Sequence, residues 1–250
     1  MATARFDYVL RLADNPLILG QRLSEWCGHG PVLEEDLALT NVALDLIGQA
    51  RVLLSHAAEI EGHARDEDQL AFLRNESDFR NVTLVELPNG DFGRTVTRNL
   101  LFGAYQSLLW EALQQSRDSK LAAIAAKSVK EARYHLRHAS EWVIRLGDGT
   151  DESHARVQAA LDVLWPYTAE LFAADAVEEQ AAVQGVGVVG ASLESAWEAS
   201  VRAILDEATL RIPARTLFRS RGKDGLHSEH MGHLLAEMQY MQRAYPGARW

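Results

Sequence analysis

Between Asp118 and Gly147 the chain reads DSKLAAIAAKSVKEARYHLRHASEWVIRLG. Strong helix formers dominate it, and no proline or internal glycine interrupts it. Asp118 has the short acceptor side chain of an N-cap, and Gly147 the freedom of a C′ residue. The stretch predicts one unbroken helix of roughly 40 Å, at about 1.5 Å per residue. Leu121, Ala125, Ser128, Ala132, His135, Ala139, Trp142 and Leu146 recur at alternating steps of four and three. That is the buried seam of a helical bundle. The seam is bulky at its ends and small or polar at its middle. A seam that only packs would carry Leu or Ile there. The pattern is that of a helix lining a buried polar site, or of one whose ancestor did. His135 reads equally as an ordinary buried histidine satisfied by a hydrogen bond.

Three further long or paired helical stretches lie upstream. Residues 3–28 predict two short pieces separated near Asp14-Asn15-Pro16, because proline favours a helix start. Gly28 and Gly30-Pro31 then break the chain. Val32 to Glu61 predicts a long helix with two apolar stripes. One holds Leu39, Val42, Leu46, Leu53 and Ile60, the other Leu37, Leu44, Ile47, Leu54 and Ala58. So wide an apolar arc implies a central helix or one covered by another subunit. After shorter pieces over 65–88 and a Pro88-Asn89-Gly90 turn, Asp91 caps a helix over about 91–116. Its inner stripe, Val96, Asn99, Gly103, Gln106, Trp110 and Leu113, is again small or polar at the middle.

Downstream, a fifth helix runs to about Phe172 with a kink at Pro166, and residues 181–191 form a Gly- and Val-rich loop or short strand. A sixth helix spans 192–209. A basic loop over 211–226 carries Arg211, Arg215, Arg219, Arg221 and Lys223, offset within it by Asp224. A last helix covers about 227–244. Period-two alternation is missing, so the class is all-α.

Composition narrows the function. The 250 residues carry 25 Lys and Arg against 35 Asp and Glu, a net charge of −10 that repels a nucleic-acid backbone. No apolar run approaches the ~20 residues that span a bilayer, and the N-terminus has no secretory pattern. A single cysteine, Cys27, excludes an internal disulfide and fits a reducing cytoplasm. The expectation is a cytoplasmic domain over 1–250, with a core bundle over about 16–147 and additions over about 148–250.

Long helices with polar mid-faces suggest a ferritin-like bundle. A di-iron site there takes a Glu from each of two helices and a Glu-x-x-His from each of the other two. This chain does not supply that set. Ala132 stands three before His135, the mid-helix pair of 32–61 is Leu46 and Gln49, and the centre of 91–116 is Gln106. Glu25 and His135 remain, with Glu131 near part of the same face. His227, His230 and His233, at steps of three, are a second candidate for a divalent ion, or a half-exposed helix start that binds nothing. A third is Arg74 to Asn81, where arginine can grip phosphate and Phe79 can face an adenine ring; a solvated helix face is the other reading. A G-x-G-x-x-G match over 185–190 lacks a strand-led surround and is set aside.

The runs Leu23-Ser-Glu-Trp-Cys-Gly-His29, Asp45-Leu-Ile-Gly-Gln-Ala-Arg51, Lys130-Glu-Ala-Arg-Tyr-His-Leu-Arg137, Gly225-Leu-His-Ser-Glu-His230 and Leu235-Ala-Glu-Met-Gln-Tyr240 resemble the C subunit of the bacterial phenylacetyl-CoA 1,2-epoxidase. The resemblance runs through the whole chain in the family's order. It implies a ferritin-like, non-catalytic structural subunit. Its implied partners are a homologous A subunit that holds the di-iron site and the acyl-CoA, a small B subunit, and an NADPH-linked flavin/iron-sulfur reductase. The complex adds one oxygen atom of O₂ to the ring of phenylacetyl-CoA. The resemblance sets the ligand places of the A subunit at Leu46, Gln49, Ala132 and His135, with Glu25 matching the first-helix ligand; the stripe of 91–116 adds Gln106 as a mid-helix position. Asp78, Phe79, Arg80 and Asn81 become the candidate CoA contact, and no cofactor is expected in this chain. The alternatives are a self-contained metal oxidoreductase using Glu25, Glu131 and His135, and a helical binding module without an oxygenase partner.

Overall fold

The computed structural model describes residues 2–63 and 65–248, which form two compact units. Of the described residues, the first contains those within 2–88 and 220–248, the second 89–219. The division differs from a core over 16–147 with later additions, because the C-terminal segment returns to the N-terminal helices. No strand occurs among the described residues, and the all-α class is that of a ferritin-like helical fold.

The first unit is built on an antiparallel hairpin, α1 (Ala2–Ser24) with α2 (Leu33–Glu61). Gly20 lets the two helices approach: a Cβ there would stand 3.0 Å from Cγ1 of Ile47 and 3.3 Å from the Ala43 carbonyl oxygen. The expected break at Pro16 is absent, and α1 is one helix with Pro16 inside it. An interior proline costs about 3 kcal/mol through its lost hydrogen bond and ring clash. Burial of Val9, Leu12, Ile18, Leu19 and Leu23 opposes that cost. Asp14 and Asn15, read as turn residues, are buried acceptors for a distant segment instead.

Helix α2 ends at Gly62, whose φ of 70° is the left-handed C-cap conformation. Its first stripe is buried through Leu39, Val42, Leu46 and Leu53. The second divides: Leu54 is buried, while Leu37, Leu44 and Ile47 are exposed, with Leu33 in line one turn earlier. Short elements follow, α3 (Glu67–Phe72), a 3-10 turn (Glu76–Asp78) and α4 (Thr83–Glu86).

In the second unit α5 (Phe92–Leu113) pairs with α6 (Ser119–Gly147). Asp91 and Asp118 cap them as expected, accepting from the N–H groups of Arg94 and of Lys120 and Leu121. Of the α6 seam, Leu121, Ala125, Ser128, Ala132, His135 and Ala139 are buried. Toward the C-terminus the buried face rotates to Val143 and Gly147, leaving Trp142 and Leu146 half-buried. A straight helix drifts in this way against a repeat of seven. Gly147 is still helical rather than a left-handed cap; a Cβ there would overlap the Ala208 carbonyl.

The expected fifth helix is α7 (Asp151–Leu164), a 3-10 turn at Trp165–Thr168 and α8 (Ala169–Phe172). Pro166 thus ends α7 instead of kinking it. Residues 181–183 complete α9 (Ala176–Val183), so the Gly/Val stretch is part helix and part turn. Helix α10 (Glu194–Glu207) lies against α5, where Trp197 Nε1 donates to the Leu101 carbonyl at 2.9 Å. The last helix, α11 (Glu229–Ala244), belongs to the first unit and packs on α1, α3 and α4.

Candidate functional site

The mid-helix positions do not offer a metal donor set. Leu46 and Gln49 are buried on α2, and Gln106, Ala132 and His135 on α5 and α6. Leu46 and Ala132 carry no donor atom. Gln49 and Gln106 are neutral amides, and Gln106 Oε1 accepts from Trp110 Nε1 at 2.6 Å. Glu25 lies past the end of α1, exposed and paired with Arg22 at 2.8 Å, so it is not on a buried helical face. Glu131 pairs with Lys127 at 3.4 Å. Among the described residues no three His, Cys, Asp or Glu side chains group closely enough to hold a metal ion.

The three histidines at 227, 230 and 233 do not share a face. The side chain of His227 precedes α11 and is fully buried against Glu86, while those of His230 and His233 stay on the surface side. Helical spacing applies only within a helix, and α11 begins after the first of the three.

The stretch over 74–81 is divided: Arg74, Phe79 and Asn81 are buried, while Asn75 to Asp78 are exposed. Phe79 and Asn81 are fully buried. The Arg74 guanidinium stacks on the Phe79 ring, 4.1 Å from its centroid. It also donates to Asp14 and to the carbonyls of Leu70 and Asp78. Asp78 caps its own turn by accepting from the Asn75 N–H. Arg80 is turned onto the carbonyls of Ser77 and Phe79. A cavity of about 480 Å³ does lie nearby, between Asn75, Glu76 and the α11 residues Gly232, Gln239, Tyr240 and Arg243. None of Asp78, Phe79, Arg80 or Asn81 lines it, and of the four only Phe79 and Asn81 are closed off from the surface, which removes those two as direct CoA contacts.

The densest polar chemistry in the first unit joins α1, residues 74–86 and the start of α11. Asp14 accepts from Arg74 and from the Arg80 N–H at 2.8 Å, and Asn15 Oδ1 from the Val82 N–H at 2.9 Å. Glu86, fully buried, accepts from Asn81 Nδ2 at 2.9 Å and from the Ser228 N–H at 2.5 Å, and its Oε2 lies 2.7 Å from His227 Nδ1. The other imidazole nitrogen lies 3.1 Å from the Phe79 carbonyl. Burial alone pushes the His227 imidazole down, but the bond to Glu86, its charge, the Phe79 carbonyl and Glu76 together raise it above the ordinary histidine value. One signal for this network was present in the sequence: Glu86 sits inside the apolar run Val82-Thr-Leu-Val-Glu-Leu87, where a carboxylate must find partners.

At the far end, Gln239 Nε2 donates to the carbonyls of Ala71 and Arg74, and Arg243 Nη2 to that of Arg74 at 2.7 Å. Helix α11 thereby satisfies acceptors that α3 leaves open at its C-terminal end. Three arginines of the basic loop are paired with acids: Arg211 faces Asp162 at 3.7 Å, Arg215 pairs with Glu194 and Glu198, and Arg221 with Asp224 at 2.9 Å. The acids come mostly from helices distant in sequence, which is why the loop by itself showed only Asp224.

The sequence profile of the family described as "Phenylacetic acid catabolic protein" matches residues 1–250. The chain is 53% identical over 243 residues to the C subunit of the 1,2-phenylacetyl-CoA epoxidase of Escherichia coli K12, covering 97% of this chain and 98% of that protein.

Proposed function

The chain belongs to the phenylacetic acid catabolic protein family, and on that premise we propose that it is the structural, non-catalytic subunit of a phenylacetyl-CoA epoxidase. It takes part in phenylacetate catabolism within a multisubunit enzyme. The observation that carries the finer reading is the chemistry of the mid-helix positions. Each is buried, yet Leu46, Gln49, Gln106 and Ala132 present no carboxylate and no imidazole. Such residues fill a core without the several kcal/mol that an unpaired buried charge costs. The iron and the acyl-CoA belong in this reading to a homologous subunit, with a small subunit, a reductase and a cytoplasmic setting completing the system.

In this reading the homologous subunit is met by α2. Leu33, Leu37, Leu44 and Ile47 are exposed along one side at steps of four, seven and three, a heptad-like apolar line with Thr40 filling the gap. Large side chains in one row on a surface mark an interaction site, and obligate interfaces are the more hydrophobic ones.

Metal analysis tests the division of labour. The separated chain is expected to hold no stoichiometric iron, and the iron of the assembled enzyme to travel with its partner. About two irons per molecule of this chain, the content of a di-iron bundle, would overturn the proposal.

A further inference from the structure

We propose that residues 220–248 form a clasp on the N-terminal unit, held shut by one proton shared between Glu86 and His227 and loosened when that proton is lost. The inference is independent of the assignment of iron and substrate to other subunits.

The hydrogen-bond chemistry fixes the proton count. The Phe79 carbonyl can only accept, so His227 Nε2, 3.1 Å away, carries a hydrogen. A neutral imidazole then presents its Nδ1 lone pair to the Glu86 carboxylate 2.7 Å away. Two acceptors at that distance repel. A second proton has to lie between them, either on the imidazole or on the carboxyl, and both arrangements hold the same number of protons. Glu86 cannot swing away to relieve its loss. Its Oε2 is also held by Asn81 and its Oε1 by the Ser228 N–H, and both side chains of the pair are fully enclosed.

Charges on each packed element bear on this proton. From α1, Arg22 donates through Nε to the Glu86 carbonyl at 2.8 Å and pairs with Glu25. Asp14 and Arg74 neutralise each other on the other side of Phe79. Glu76 favours the charged imidazole, and Arg80 is bound to the carbonyls of Ser77 and Phe79. On the clasp itself stand the buried Lys223 and, in the first turn of α11, Glu229 and His230. The net result is the raised imidazole value described above, so the protonated pair belongs to the closed state.

The rest of the clasp is fitted closely around this pair. A Cβ at Gly222 would overlap the Asn81 carbonyl, and Gly225, at φ 80°, would meet Arg80 and the Ser77 carbonyl at 2.5 Å. Ser228, the N-cap of α11, makes no side-chain cap; the Glu86 carboxylate receives its N–H instead. Deprotonation therefore strikes at the point where α11 starts, and opening uncovers residues 79–86.

Hydrogen exchange on the full-length protein, read at about pH 6 and about pH 9 and corrected for intrinsic exchange, tests this. The amides of α11 are expected to lose protection at the higher pH, while those of α6 keep theirs. In Glu86→Gln the amide can donate to Nδ1 and still accept from Ser228, provided Asn81 turns over to present its buried, unpartnered Oδ1 and gives up its bond to the Val82 carbonyl. That variant is expected to protect α11 equally at both pH values. Equal protection in the unaltered protein, or a pH effect that survives in a folded Glu86→Gln, would overturn the proposal. If the variant does not fold, an NMR titration of the His227 imidazole in the unaltered protein decides: a midpoint at or below the ordinary histidine value also overturns it.

Discussion

Asp14 and Arg74 stand sixty positions apart in sequence and meet in the interior of the first unit, with Nη1 of Arg74 donating to Asp14 Oδ2 at 3.0 Å. The aspartate sits on α1, one turn from Leu10 and Ile18, and the arginine lies just past α3. Their bond ties the hairpin to the segment that carries Phe79.

Asp14→Ala leaves a buried guanidinium and the Arg80 N–H without their acceptor. The expected loss is about 3–5 kcal/mol, the cost of breaking a buried pair from one side. Urea denaturation of the purified chain measures it. Asp14→Leu combined with Arg74→Met is expected to recover part of the loss, since removing both charges removes the unpaired one. The Arg80 N–H stays unsatisfied in the double variant, so recovery is incomplete.

Two glycines separate packing from propensity. Gly48 lies in α2 with open space around its missing side chain, so Gly48→Ala is expected to stabilise the isolated chain by about 0.5–1 kcal/mol. Gly222→Ala pushes a methyl group into the Asn81 backbone and is expected to destabilise. Limited proteolysis should cut the Gly222 variant within residues 220–248 sooner than the parent, with the Gly48 variant unchanged there.

The α2 face gives a prediction about assembly. Leu37→Glu with Leu44→Glu alters only side chains that are exposed in this chain. Folding stability is expected to move by no more than about 0.5 kcal/mol per site, as for surface changes generally. Co-purification with the homologous subunit is expected to fail. A double variant that melts normally and still co-purifies would remove α2 from the interface.

The His227–Glu86 pair also predicts the pH dependence of global stability. Its folded-state value is raised above the unfolded one, so the folded protein binds the proton more tightly. The stabilisation is complete below the ordinary histidine value of about 6.5. It fades as pH rises from there through the raised folded value. Urea midpoints of the unaltered protein are expected to fall across that window. In His227→Gln this component of the fall is absent.

Much of the helical layout was legible from local chemistry. Asp91 and Asp118 cap their helices through N–H groups within three residues, a relation contained in a single turn. The burial of the α6 seam from Leu121 to Ala139 followed from its spacing, as did the α2 boundaries. Gly62, one position past Glu61, is the residue type a left-handed cap requires.

Long-range pairing was not legible. Asp14-Asn15-Pro16 has the composition of a turn, yet α1 runs through it because Arg74, Arg80 and Val82 supply partners for its polar groups. Phe79 and Arg80 look like a ligand face until Arg74 is seen stacked on the ring. His227 looks like one of three histidines in a row until Glu86, 141 positions away, takes its imidazole inward. Periodicity and capping are set by neighbours within about one helical turn, so the sequence alone specified the helices and their inward faces. What each inward face meets depends on contacts between residues far apart along the chain. Only the tertiary structure decided that Asp14 faces Arg74 and Glu86 faces His227, because a buried charge settles where a distant partner meets it.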